Sequence, residues 1–354
     1  MACLKKELRT KDKKQVEYIY KKIKGYALLL GQDLGECEGT SKDAMIHWIE
    51  KAYSNRAILN AVISNITIKE YCNIESLVKF NCNNSYNFSN YWDKMGLLYS
   101  KYDVESEELS LSFVEELICF LKSGGENLLE KIGIKATIHS IVSSMVNLYG
   151  IIELKRAYKI FCDISLLGDR VNYESFIETA IRFADFRDEF DLCIYADCFV
   201  SCDYVEVVVT RGIKRVVPKP MYYELICKQG DKPYYTDFTI EKLLCYEYPG
   251  SFEIDSYIDD FVRFLSETFQ QTDDAVFCVA DEVCLSCIND SGINDIFNLL
   301  ENKGFYSKSQ KIQKMLVMHI MQIKNNIRLR VNRGYSINEL RSICYDVTKV
   351  CGNL

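Results

Sequence analysis

All four prolines of this chain lie between Pro218 and Pro249. Pro218-Lys-Pro220 and Lys232-Pro233 fix φ and withhold amide donors, so they mark a rigid, irregular junction, and the sequence on either side reads mainly as helices. In Lys42 to Ile66 the residues Ile46, Ile49, Tyr53, Ala57 and Ala61 recur at three- and four-residue steps, one apolar helical stripe. Met45, Trp48 and Ala52 widen it, and Ser41 stands before it as N-cap. After the junction, helices are expected at about 239–247, 252–269, 290–302 and 308–331. In the last of these Ile312, Leu316, Ile320, Ile323 and Ile327 form the buried stripe.

The run Ala136 to Ile152 is uncharged, yet it holds Thr137, His139, Ser140 and Asn147 and falls short of the ~20 residues that a membrane span needs. It reads as a buried helix leading into a turn at Gly150. A second helix runs from Ile152 to Cys162, and a third, about Tyr173 to Phe186, opens at Asp169 or Asn172. Then come Phe190 to Ser201 and the β-branched stretches Val205 to Val209 and Ile213 to Val217, which read as strands. Three helices followed by a small sheet is the order of a winged helix. The expected fold is mainly α with a small β element, multi-helical, around a central winged-helix-like domain. Breaks are expected in the asparagine-rich Asn81 to Asn90 and at Ser123-Gly124-Gly125. They give an N-terminal helical region (1–80), a loop with connecting helices (81–125), the winged-helix-like domain (126–217) and a C-terminal helical domain (218–354).

Sixteen cysteines run from Cys3 to Cys351, spread thinly through a chain long enough to build its own core. The N-terminus has no apolar stretch of signal-peptide type, so the expectation is a cytoplasmic protein with reduced thiols that act as small hydrophobes. Cys284-Leu-Ser-Cys287 follows Asp281-Glu282, whose charge raises rather than lowers a thiol pKa, so core cysteine is the expected reading. Cys193 and Cys198 are an odd number apart, which on one strand puts them on opposite faces, while Cys198 and Cys202 share a face. Cys198, Cys202, Cys284 and Cys287 make a zinc site only if the fold gathers them, and neither metal nor cofactor is expected. His47, His139 and His319 each lie on or beside an apolar stripe and read as core histidines.

The net charge of -7 hides an asymmetry. Residues 1–24 hold nine Lys/Arg against three acids, and 302–338 hold eight Lys/Arg and no acid. The body between carries 24 basic and 45 acidic side chains, so it repels nucleic acid. Contact with nucleic acid or another acidic partner is left to the two basic ends and a basic hairpin, and the residues singled out form two sets. One is the hairpin carrying Arg211, Lys214 and Arg215, which read as the wing. The other is Lys311, Lys314, Lys324, Arg328, Arg330 and Arg333 near the C-terminus. The third helix and its flank carry Glu174, Glu178, Asp185, Asp188 and Glu189 against Arg182 and Arg187, a charge that suits protein binding better than a DNA groove. No zinc-protease, nucleophile-elbow, phosphate-loop or dinucleotide motif occurs.

Four pieces of the chain carry a resemblance. They are Val146-Asn-Leu-Tyr-Gly150-Ile-Ile-Glu-Leu; Phe190 to Ser201; Lys232-Pro-Tyr-Tyr235 with Leu243-Leu-Cys-Tyr246; and Asn325-Asn-Ile-Arg328 with Gly334-Tyr-Ser-Ile-Asn-Glu-Leu340. They resemble landmarks of a loosely defined group of mobile-element-associated proteins of low-GC Gram-positive bacteria. Some members append a zinc-binding SEC-C tail, whose cysteines and histidine this chain lacks. The resemblance implies a regulatory, phage-related or defence role. The function expected is non-enzymatic binding of another protein, homodimer formation included, with no membrane association. The alternatives are a DNA-binding winged-helix regulator using the basic hairpin and termini, and an enzyme with an unrecognised acidic site.

Overall fold

The computed structural model describes residues 4–80, 90–103, 108–187, 192–210 and 213–343. They divide into two compact units, Met1–Ser140 with Glu178–Arg187, and Ile141–Ile177 with Asp188–Leu354. The architecture is mainly helical with small antiparallel sheets, and among the described residues no helix is long and apolar enough to cross a membrane.

The first unit begins with α1 (Leu4–Thr10), α2 (Lys13–Leu29), α3 (Lys42–Ser54), α4 (Arg56–Ser64), α5 (Ile68–Phe80) and α6 (Asn90–Lys94). Asp12 and Gln15 close a reciprocal capping box at the start of α2. Ser41 caps α3 by accepting the Ala44 N–H at 3.1 Å, as its position suggested. The stripe read as one helix over Lys42 to Ile66 is two, because Asn55 is extended and its side chain accepts the Ala57 N–H, starting α4 anew. A hairpin follows, β1 (Leu98–Asp103) antiparallel to β2 (Glu108–Phe113). The core of this unit is apolar and fully buried, with Leu8, Ile19, Ile49, Val62 and Trp92 at its centre.

Helix α7 (Glu115–Tyr149) runs unbroken through Ser123-Gly124-Gly125, so the break expected there is absent. Two glycines cost a helix of this length about 2 kcal/mol in propensity, which burial of Leu117, Leu121, Leu129 and Ile132 outweighs. The loop expected over Asn81 to Asn90 lies outside the described residues, apart from Asn90, which opens α6.

In the second unit α7 ends at Gly150, whose φ of 75° is left-handed and whose N–H bonds the Val146 carbonyl at 2.8 Å. Then follow β3 (Ile151–Glu153), α8 (Leu154–Ile164), α9 (Tyr173–Phe186, which belongs to the first unit from Glu178 on), β4 (Leu192–Tyr195) and β5 (Cys198–Ser201). Strands β3 and β4 both pair with β5, giving the antiparallel order β3-β5-β4. Ala196 and Asp197, at φ 49° and 56°, make the two-residue turn that joins β4 to β5. The strands expected at 205–209 and 213–217 are present as β6 (Val205–Thr210) and β7 (Ile213–Pro218). They pair with each other as a separate ribbon and do not extend the three-stranded sheet.

The remaining elements are α10 (Pro220–Gln229), α11 (Ile240–Leu244), α12 (Ser256–Thr268), α13 (Asp273–Ile288), α14 (Ile293–Asn302) and α15 (Gln310–Asn326), with a 3-10 turn at Arg330–Asn332. Phe261, Val283, Cys284, Ile296, Ile320 and Ile323 fill a core among α12 to α15. Helix α13 is one that the periodicity left out. Its Asp-Glu and Ser interrupt the apolar pattern, and Thr272 caps it through the Ala275 N–H.

Candidate functional surfaces

The segments that carry the resemblance lie far apart in sequence, yet several meet in the second unit. Tyr149 donates its hydroxyl to the Tyr235 carbonyl at 2.6 Å. Asn147 donates its amide to the carbonyls of Tyr246 and Glu247 at 2.9 and 3.2 Å. Gly334, at φ 84°, lies against Tyr149, where an added Cβ would stand 2.8 Å from Cε1. Gln229 ties the ends together by donating to the carbonyls of Tyr149 and Arg330, each at 2.8 Å. Asn and Gln suit this work because a buried carboxamide satisfies several backbone groups without charge.

Four of the six C-terminal cations are folded into this unit. Arg330 is 7 % exposed; it donates to the Asn147 carbonyl at 3.0 Å and to the Asp203 carboxylate at 2.6 Å. Burial works against the Asp203 charge, but the Arg330 bond holds its carboxyl below the usual range. Arg328 stacks 3.5 Å over the Tyr235 ring and pairs with Glu339 at 2.8 Å and Glu253 at 3.5 Å. Arg333 donates to the Lys232 carbonyl and lies 4.6 Å over the Tyr234 ring. Lys324 reaches Asp290 at 3.5 Å and the Ser291 carbonyl at 2.5 Å. A cavity of about 230 Å³ beside Arg328 is lined by Glu253, Asp255 and Glu339, more acid than the single guanidinium neutralises.

Lys311 and Lys314 are placed differently. Both are exposed on α15, and neither makes an ion pair or side-chain hydrogen bond among the described residues. Along the same outward face stand Val317, Met318 and Met321, at 38, 56 and 41 % exposure. Residues three, four and seven apart share a helix face, so this is a continuous stripe, cationic at its start and apolar further on. The sequence shows the lysines plainly, but it singles out the buried stripe of this helix and not the exposed apolar residues beside them. In the β6–β7 hairpin Arg215 is exposed opposite Val208, Lys214 lies opposite Val209, and Arg211 falls outside the described residues.

The cysteine candidates separate into two cores. Cys284 and Cys287 are fully buried on α13, where burial pushes both thiols up, Cys287 to about 12. Cys198 and Cys202 pack with the three-stranded sheet, and burial raises the Cys198 thiol to about 11, with Glu153 and Asp197 adding to the shift. Among the described residues no group of three His, Cys, Asp or Glu side chains is placed to hold a metal ion. The tight turn at Ala196-Asp197 corrects one expectation. It folds β5 back so that Tyr195 faces Cys198 and Cys193 faces Val200, and Cys193 and Cys198 thus share a face. His139 and His319 are buried, as expected, but His47 is 80 % exposed, a correction to its reading as a core histidine.

A buried charged cluster in the first unit has no counterpart among the sequence expectations. Arg187, 2 % exposed, forms a two-pronged pair with Glu70, 1 % exposed, at 2.9 and 3.1 Å. The same guanidinium donates to the Asn65 carbonyl and stacks 3.9 Å over the Tyr91 ring. His139 stacks on Phe183 at 4.1 Å with Nδ1 against the Ile66 carbonyl, and burial holds its pKa down at about 3. In the sequence Arg187 counted as a cation available to phosphate; here it is an internal anchor.

No family model, curated protein or solved structure matches this chain.

Proposed function

We propose that this is a non-enzymatic binding protein of a bacterial cytoplasm that captures an acidic, amphipathic segment of another protein on the outward face of α15. The observation that carries the reading is the stripe of Lys311 and Lys314 followed by Val317, Met318 and Met321. Methionine side chains are long, unbranched and polarizable, and they adapt to apolar partners of varied shape. Exposed lysines with no internal partner among the described residues steer an acidic segment and select its register. A regulatory, phage-related or defence setting follows from the sequence resemblance.

The test is affinity capture from the native host with nuclease treatment, comparing wild type with Met318→Asp and with Lys311→Glu combined with Lys314→Glu. Both variants alter exposed positions, so Tm should stay within a few degrees of wild type. The reading expects a nuclease-resistant protein partner, held at moderate salt and bound at least ~30-fold more weakly by Met318→Asp. Recovery of nucleic acid alone would overturn it.

A second reading, a winged-helix DNA-binding regulator, draws support from the order α7-β3-α8-α9-β4-β5 and the strand order β3-β5-β4. Its recognition helix would be α9. That helix exposes Glu174, Glu178 and Asp185, its Arg182 pairs with Glu178 at 2.6 Å, and Arg187 is buried, so little cation is left for phosphate. This reading expects duplex binding that weakens steeply with salt and fails in Arg215→Ala combined with Lys214→Ala.

A further inference from the structure

The Cys193 and Cys202 sulfurs stand 3.2 Å apart. The geometry has a simple origin. Cys193 on β4 faces Val200 on β5, and Cys202 lies two residues past Val200, just beyond the strand end. Residues two apart along a strand point to the same side, so Cys202 is the diagonal neighbour of Cys193 on one face of an antiparallel pair. The face is packed by Ile151, Val200, Tyr204 and Tyr222, which hold both side chains in place. The two thiols differ in access. Cys193 is 7 % exposed, whereas Cys202 is half-buried and open to a small reagent.

Cys202 is also tied to the convergence around Tyr149. Its carbonyl accepts the Lys219 ammonium at 2.8 Å, and the next residue is Asp203, the carboxylate that pairs with Arg330. A bond from Cys202 to β4 would therefore anchor the short connection that presents Asp203 to Arg330.

We propose that Cys193 and Cys202 form a reversible dithiol–disulfide site whose oxidant is a small-molecule disulfide of the glutathione class. The Cys202 thiolate attacks one sulfur of the reagent, forming a mixed disulfide and expelling one glutathione thiolate, which takes up a proton. The Cys193 thiolate then attacks the Cys202 sulfur, forming the Cys193–Cys202 bond and releasing the second glutathione thiolate, which is protonated likewise. The protein gives up two electrons and two protons, and one glutathione disulfide becomes two thiols. Four of the other described thiols make poor competitors for closure. Burial and Glu75 raise the Cys72 thiol, burial and Glu253 raise that of Cys245, and Cys284 and Cys287 lie within the helical core.

The test is equilibration of the full chain in graded glutathione redox buffers, acid quenching, and mapping of disulfide-linked peptides by mass spectrometry. Two of the sixteen thiols should disappear together. The linked Cys193–Cys202 peptide should exceed any other internal disulfide at least about tenfold, reflecting the effective concentration of held neighbours. Cys193→Ser should leave Cys202 as a persistent mixed disulfide with glutathione, and Cys198→Ser should leave the link intact. Should Cys193→Ser fail to fold, the wild-type map decides alone. A leading link that involves Cys198 overturns the proposal, as does a stable mixed disulfide at Cys202 in wild type or the absence of any internal link.

Discussion

The Arg187–Glu70 pair is buried on every side, and its energetics are lopsided. Removing one partner leaves an unneutralised charge in an apolar site, whereas removing both leaves a cavity with no charge to strand. Arg187→Met should cost about 3–5 kcal/mol of unfolding free energy, read from urea denaturation. The double variant with Glu70→Leu should be more stable than Arg187→Met alone; a double variant as weak as the single would show that the Tyr91 stack and the Asn65 bond matter more than the charge. His139 makes a pH-dependent contribution. Burial lowers its folded pKa to about 3 from an ordinary 6.5, so the unfolded chain binds the proton first as pH falls. The stability it supplies is full above pH 6.5 and is lost as pH drops towards the folded value. His319, lowered by burial, adds slope of the same sign. His139→Asn keeps an amide near the Ile66 carbonyl and should flatten the stability profile between about pH 6.5 and 5, above most carboxylate titration.

At the level of the elements, Gly150 decides where α7 stops. A Cβ there would lie 2.9 Å from Leu225 Cδ2 and 2.9 Å from Tyr204 Cε2, on a backbone already left-handed. Gly150→Ala should cost about 2–4 kcal/mol, the left-handed penalty plus overpacking. Gly25 is the contrast, mid-helix in α2 with nothing within 4 Å of where a methyl would stand, and Gly25→Ala should raise stability by up to about 1 kcal/mol. Paired urea curves for the two variants check both signs. Much of this layer was legible in the sequence. The buried end of α7, the strands of the β6–β7 hairpin and the stripe of α15 follow from periodicity and β-branching, because their signals are local. Three things were not. Gly124-Gly125 reads as a break, since propensity says nothing of the core that α7 packs against. Helix α13 hides behind polar residues on its outer face. Arg328, Arg330 and Arg333 read as a surface strip because the groups that bind them, Tyr235, Asp203 and Tyr234, lie about a hundred residues away in sequence.

For the molecule as a whole, the acidic body and the two basic ends make the charge strongly uneven along the sequence. The structure redistributes that charge by burying or pairing four of the six C-terminal cations, while Lys311 and Lys314 stay outward. The same chain also leaves its first unit at Ser140, returns for Glu178–Arg187 and leaves again. The ten residues of that return bring Arg187 to Glu70, so the first unit is incomplete in any N-terminal piece of chain that stops short of Arg187. A fragment ending at Ser140 keeps Glu70 and Tyr91 without their guanidinium, and should show a broad, weakly cooperative melt and rapid proteolysis where the full chain resists. Supplying 178–187 through a short linker should restore part of that resistance. Cutting this protein into separately expressed domains, or exchanging its N-terminal half with another's, therefore fails at a place that sequence boundaries do not mark: inheritance of the first unit requires inheritance of a ten-residue insert lying beyond it.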